Sequence, residues 1–499
     1  MSYLDDLKTE SNYTYTLNGA KTNGSTGDAC LDFFAVAEGM RYRKKSEQIK
    51  LFERAYIENP ELAMKLLFYI RDIRRGMGER KLFRTLLRHT AKTWTESVCK
   101  NIQYISEFGR WDDLLCLLDT PAKNETIQVI QKQLSQDETA LKSRENGDIN
   151  AHISLLAKWL PSDNTSSPRT RETANKLIQM LGMDKKEYRK IITSLRAKIS
   201  LTERHISRKK YHKINYESVP AHAMLKYRNA FRKNDKDRFS EYLDDVRDDK
   251  KLIHTDTLFP YEILRPFFKN GYWCREKVNE TEVLEHLWNN LPGTVGNANA
   301  ISVVDTSGSM YCSYGPLMPA LISQAMGLYC AEHCTGVFHN HLITFESTPH
   351  LVEIKGSNLH DKLKYISTLD WGGSTNLESV FDLILRTAVK YNAKQDEIPQ
   401  TIYIFSDMEF DCCMENADKT VYENARERFE ENGYTMPAVV FHNVNSWHVQ
   451  TPVKARTKGT VLTSGADVHN MNQKFDGNVT PVEYMLRILN SERYAMIHA

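Results

Sequence analysis

Near Leu291-Pro292-Gly293 the chain changes its pattern, and that change limits its fold more than any other feature. After it, the short apolar runs AISVV (300–304), VFHNHLITF (337–345), HLVEI (350–354), TIYIF (401–405) and PAVVFHNV (437–444) alternate with helix-length segments at 316–332, 376–392 and 418–430. Buried strands alternating with helices predict an open, mostly parallel, Rossmann-type α/β sheet, with ligands at the carboxyl ends of its strands. Before the change the chain reads as helix after helix. Asn59-Pro60 reads as a helix start, and Leu62, Leu66, Ile70 and Ile73 repeat at helical spacing. Leu82, Phe83, Leu86 and Leu87 follow a break at Gly76 and Gly78, and Ile102, Ile105 and Phe108 lead to another at Gly109. No strict period is present, so an all-α, irregular stack of helix pairs of the HEAT class is expected. The expected domains are residues 1–290, helical, and 291–499, α/β.

Immediately past the first apolar run stands Asp305-Thr306-Ser307-Gly308-Ser309, a carboxylate and two hydroxyls at alternate positions of one tight loop. Trp371-Gly372-Gly373-Ser374-Thr375-Asn376 offers the Thr375 hydroxyl on a glycine-rich turn, and Ser406-Asp407 follows TIYIF with a second carboxylate. Three oxygen-bearing loops at one end of a sheet suit Mg²⁺ or Mn²⁺, which prefer hard oxygen ligands. The combination resembles the metal-ion-dependent adhesion site of the von Willebrand factor A-like family, over about residues 295–499. That resemblance implies a metal held by Asp305, Ser307, Ser309 and Thr375, with Asp407 acting through water. It also implies a coordination position left for an acidic group of a partner protein. Glu409 and Asp411 add negative charge near the site and read as solvated loop acids, with contact to metal-bound water or a basic partner as the alternative.

The net charge of +2 hides an asymmetry. Residues 1–290 hold 51 Lys and Arg against 41 Asp and Glu; residues 291–499 hold 15 against 23. Residues 151–233 alone carry 19 basic and 6 acidic side chains, and concentrated positive charge attracts polyanions. Arg189, Lys190, Arg196 and Lys198 lie on a helical pattern, followed by Arg208, Lys209, Lys210, Tyr211, His212 and Lys213. Cations interleaved with aromatic rings contact phosphates while stacking on bases, so these basic residues are the candidate RNA contacts. A solvated helix face, or pairing with the acidic second half of the chain, is the plainer alternative.

STGDACLDFF (25–34), RDIRRGMGERKLFR (71–84), FGRWDDLL (108–115), AKWLPS (157–162), YRKIITSLRAKIS (188–200) and INYESVPAHAMLKYRNAF (214–231) go together with SVVDTSGSM (302–310) and IFSDMEFD (404–411). They resemble a family of uncharacterised viral, bacterial and plant proteins that carry a domain of unknown function. Its architecture is similar to that of the Ro ribonucleoprotein, a TROVE helical domain plus a von Willebrand A domain. The resemblance implies binding of structured noncoding or single-stranded RNA by the helical part; it transfers no RNA-contact residue.

Other features weigh less. Cys330, His333, Cys334, His339 and His341 cluster, but Cys330 and Cys334 share one helix face that should pack on the sheet. Cys412-Cys413 reads as an unbonded pair. RRGMGER (74–80) lacks the Lys-Ser/Thr of a P-loop and reads as a helix–helix turn, and Trp111-Asp112-Asp113 as a helix start. No signal-like N-terminus and no apolar run near the roughly 20 residues of a membrane span stand out, and the nine cysteines are scattered. A cytoplasmic protein with no membrane role is expected. The expected function is a Ro-type RNA-binding scaffold with a metal-dependent interaction domain, and not an enzyme. A protein–protein adaptor without a nucleic-acid role competes, and a metal-dependent hydrolase comes third.

Overall fold

In the computed structural model the described residues are all but 1–2, 149, 200, 269–275, 293–298, 313–316, 335, 370–372, 413–418, 447, 467–470, 472–474 and 476. They form two compact units: residues Met1–Asn59 with Asn215–Ser491, and residues Pro60–Ile214 with Glu492–Ala499. The pattern change near 291 is a change of secondary structure, whereas these units are drawn by packing.

The first unit is built on a six-stranded sheet and a separate two-stranded ribbon. The ribbon pairs β1 (Tyr13–Tyr15) with β2 (Lys21–Asn23) antiparallel across a turn containing Asn18-Gly19, a dipeptide suited to tight hairpins. The large sheet comprises β3 (Ala300–Val304), β4 (His341–Thr344), β5 (Leu351–Glu353), β6 (Thr401–Ser406), β7 (Ala438–Asn443) and β8 (Thr460–Ser464), in the order β5-β4-β3-β6-β7-β8. Every neighbouring pair is parallel except β4 and β5. All residues of β3, β6 and β7 are buried, as strands covered on both faces must be. VFHNHLITF yields a strand only from His341, because residues 337–340 form a turn that ends on Asn340 at φ 60. β8, whose five residues mix apolar and hydroxyl side chains, is absent from the sequence reading.

The helix Pro319–His333 covers β3, and it comes so close at Gly327 that an added Cβ would lie 2.2 Å from Val304. Cys330 and Cys334 are buried there, the Cys334 thiol donating to the Ala300 carbonyl at 3.2 Å. Residues of the first 59 complete the core of this unit. Leu31, Phe33, Phe34 and Val36 are buried, and Phe34 meets Tyr484 edge-on at 6.3 Å.

Every regular element of the second unit, among the described residues, is a helix. Pro60 opens the helix Pro60–Arg71, of which Leu62 to Arg71 are buried except Lys65. The expected stripe is therefore nearly a full circumference, as in a helix at the centre of a core. Arg71 at its end is 2% exposed and pairs with Asp113 at 2.7 Å, which also receives Arg84 Nε at 2.5 Å. Gly109 sits against this pair, where a Cβ would fall 2.5 Å from the Asp113 carboxylate. RRGMGER is the turn between helices Pro60–Arg71 and Arg80–Thr93, and Trp111-Asp112-Asp113 opens the 3-10 helix Trp111–Leu117. Asp112 and Asp113 belong to this ionic network, Asp112 pairing with Arg84 at 2.8 Å. The last eight residues join the unit: Arg493 and the Tyr494 hydroxyl reach Asp72, and Tyr494 stacks on Phe108 with ring centroids 5.5 Å apart.

Candidate functional site

From β3 the chain steps outward to β4 and β5 on one side; β6, β7 and β8 lie on the other. The winding thus reverses between β3 and β6, and a crevice opens at the carboxyl ends of such a pair. Val304 pairs with Phe405, and the Asp305 N–H donates to the Phe405 carbonyl at 3.1 Å. The loops 305–309 and 407–411 therefore leave the sheet side by side.

Asp305 is fully buried and organises its own loop. One carboxylate oxygen accepts from the Ser307 N–H at 2.9 Å, and the other from the Ser406 hydroxyl at 2.5 Å. The hydroxyls of Ser307 and Ser309 lie 3.1 Å apart. Asp407, 2% exposed, accepts at Oδ1 from the Glu409 N–H at 3.3 Å, while its Oδ2 is buried without a hydrogen-bond partner. Met408, between them, holds φ 67, a left-handed conformation that an L-residue adopts at a cost of roughly 1–2 kcal/mol. Burial first, then the neighbouring Asp305, push the Asp407 carboxyl up to about 7, against the Ser309 hydroxyl, which lowers it. Asp305 is also raised, by burial first and by Asp411, while Ser406 and Ser307 oppose.

Trp371 and Gly372 of the second predicted loop lie outside the described residues; Thr375 lies within them. Its hydroxyl is 2.7 Å from the Glu409 carbonyl and 3.1 Å from Asp411 Oδ1, and its N–H donates to Asp411 Oδ2 at 2.9 Å. So the structure brings Asp305, Ser307, Ser309 and Asp407 together and fastens Thr375 to the same loop through residues 409 and 411.

The ribbon turn supplies residues that the sequence reading missed. Asn18 Nδ2 donates to the Thr375 hydroxyl at 3.0 Å and to the Glu409 carbonyl at 2.7 Å. The Leu17 N–H donates to Glu409 Oε2 at 2.7 Å, and the Thr16 hydroxyl to the Phe410 carbonyl at 2.6 Å. Glu409 is no solvated loop acid. It is 2% exposed, and its Oε1 holds His448 Nδ1 at 2.8 Å and Gln450 Nε2 at 2.9 Å. Asn18-Gly19 was the available signal for a turn, but nothing in its neighbourhood points to residues 375 and 409.

Two buried carboxylates in electrostatic contact, one oxygen of which has no hydrogen-bond partner, and two adjacent hydroxyls form an all-oxygen set with excess negative charge. That donor chemistry fits a hard divalent cation.

The basic stretch divides in two. Arg189 forms a forked pair with Asp163, its Nε 2.8 Å from Oδ1, and Arg196 donates to the Ala157 and Leu160 carbonyls at 2.7 Å and to the Ser162 hydroxyl at 2.8 Å. These two guanidiniums tie their helix to the segment 157–163. Lys190, Lys198, Arg208, Lys209, Lys210 and Lys213 are exposed and make no ion pair among the described residues. The helical unit as a whole holds 31 Lys and Arg against 19 Asp and Glu, the other unit 35 against 45. Cys413 lies outside the described residues, and no helix among those described is long and apolar enough to cross a membrane.

Comparison with known proteins adds three findings. The family described as Domain of unknown function (DUF2828) matches residues 16–133 and 125–298, and Domain of unknown function (DUF7788) matches residues 299–482. Uncharacterized protein L728 of Acanthamoeba polyphaga mimivirus is 29% identical over 488 residues, spanning 91% of this chain and 83% of its own. The crystal structure of the Deinococcus radiodurans RO (RSR) protein superposes with a TM-score of 0.48 at 13% identity, covering 94% of this chain and 100% of that one.

Proposed function

The chain belongs to the DUF2828 family, whose match spans more than half of it, and we propose that it is an RNA-binding scaffold of Ro type with a divalent-metal-dependent interaction domain. One observation carries the metal half of this reading: Asp407 Oδ2 is buried without a partner, and its carboxylate interacts electrostatically with a second buried carboxylate, Asp305. An unpaired buried charge is costly, and a cation between Asp305 and Asp407 removes the cost. We assign Mg²⁺ or Mn²⁺ to Asp305, Ser307 and Ser309, with Asp407 through water. For Thr375 to ligate the ion directly, its hydroxyl would have to leave the Glu409 carbonyl. The domain would then be von Willebrand factor A-like, and a bound ion would leave a position for a carboxylate from an acidic partner. Its role is binding, not turnover.

The RNA half is supported by charge: a helical unit with twelve more basic than acidic residues, and within it Arg208, Lys209, Lys210 and Lys213 exposed beside Tyr211 and His212. We remove Arg189 and Arg196 from the contact set and give them a structural role. HEAT-like stacking remains part of this proposal for the helices, and a cytoplasmic location its setting. Millimolar Mg²⁺ should raise the melting temperature of the wild-type chain by mass action and leave that of Asp305→Ala unmoved. Equal shifts in the two proteins dismiss the metal site; metal-dependent turnover abolished in the variant favours a hydrolase instead.

A further inference from the structure

A cavity of about 630 Å³ opens in the first unit, lined by one face of the helix Ala221–Asn234, by the end of the helix Pro260–Leu264 and by residues 277–279. Among the described residues, Lys226, Arg228, Arg265 and Lys277 line it, with His222 and one carboxylate, Glu262. None of the four cations makes an ion pair among the described residues. Arg228 Nη1 is spent on the Leu225 carbonyl, while its Nε is buried with no partner. Glu262 is committed elsewhere: its Oε2 accepts from the Phe259 N–H at 3.1 Å, and its Oε1 lies 3.7 Å from His222. The nearby Glu280 is held by Arg232 at 2.8 Å.

In a unit with 35 basic and 45 acidic residues, cations ordinarily pair with carboxylates; here four converge on one concavity and form no ion pair among the described residues, although Glu262 lies within electrostatic reach of Arg265 and Glu280 of Arg228. The cavity falls within the range of small-ligand sites, ~300–1,000 Å³. Four cations against one carboxylate leave an excess of three positive charges, which calls for a compact anion bearing several charges. Guanidinium and ammonium donors match phosphate oxygens. We propose that this cavity binds the polyphosphate group of a small molecule. The site depends on neither the metal centre nor the basic stretch at 208–213.

The test titrates the full-length chain, in EDTA and about 0.15 M salt, with inorganic triphosphate and separately with ATP, by calorimetry. Saturable binding is expected. The variant Lys226→Gln/Arg265→Gln/Lys277→Gln alters only exposed side chains, and its unligated melting curve should match wild type. Its affinity should fall about tenfold or more, each lost charge counting for roughly a factor of two to five. Asp305→Ala should bind as wild type does. ATP binding more tightly than triphosphate assigns a nucleotide, and equal affinities assign the bare polyphosphate. Absence of saturable binding, or equal affinity in wild type and a normally folded triple variant, overturns the proposal.

Discussion

The substitution Asp407→Asn should stabilise the metal-free protein and weaken its response to Mg²⁺, two effects of opposite sign from one atom. In the fold this carboxyl titrates at about 7 instead of 3.8. At about 1.4 kcal/mol per pH unit, the ionised group costs the fold about 4 kcal/mol, a ceiling because Asp305 shares the repulsion. Between pH 3.8 and about 7 the native state holds a proton that the unfolded chain has released. The group's contribution is therefore fully favourable below the lower value and lost as pH rises through the upper one. A carboxamide at this position has no such dependence, and its N–H can donate to Asp305. In EDTA the variant should exceed wild type at pH 8 by up to about 4 kcal/mol, with the gap closing near pH 4. A cation at a hundred times its dissociation constant stabilises by about 2.7 kcal/mol, and most of that increment should belong to wild type alone. Urea melts at pH 8 and pH 5, each with EDTA and with Mg²⁺, measure all four quantities. A variant less stable than wild type in EDTA at pH 8, or with an equal Mg²⁺ increment, refutes the reasoning.

Burial holds His442 down to about 4 from 6.5, so its stability contribution is present above 6.5 and lost as pH falls to 4, by about 3 kcal/mol. His442→Gln should flatten urea midpoints across that window, and an unchanged pH slope counts against a neutral buried imidazole. Arg208→Gln/Lys209→Gln/Lys210→Gln/Lys213→Gln should weaken binding of single-stranded RNA and make log affinity less steep in log salt, by about 0.7 per lost phosphate contact. Equal affinity and slope in filter binding remove this segment from the RNA reading and leave the adaptor reading ahead.

The strands that place the site were legible because they are buried on both faces, so AISVV and TIYIF stand out as bounded apolar runs. Asp305 and Asp407 follow directly from those ends. What the sequence hides is burial and pairing over distance. Glu409 has the composition of a solvated loop acid, and only the folded chain shows it fully enclosed by Leu17, His448 and Gln450. Arg189 and Lys190 are neighbours of like charge, yet Asp163 takes one and leaves the other in solvent. The ribbon near Asn18 is three residues per strand, too short for alternation to register against helical surroundings. Nor does any local pattern show that Leu31 to Val36 complete a core whose strands begin near residue 300.

The fastening of Asn18 to Thr375 and Glu409 also orders events during biosynthesis. Its partners lie 357 and 391 residues downstream. At the usual elongation rates of about 5–20 residues per second, the turn waits roughly 20–80 s before Glu409 has been made. Phe34, buried in the finished molecule, waits longer still for Ser464 of β8 and for Tyr484. Residues 60–214 are complete on the ribosome long before, lacking only the last eight residues of their unit. The helical unit can therefore assemble during translation, while the core contacts of the leading segment must wait until the sheet arrives. Mutations that speed or stall elongation between residues 60 and 400 should alter the yield of folded chain without touching any residue of the metal centre.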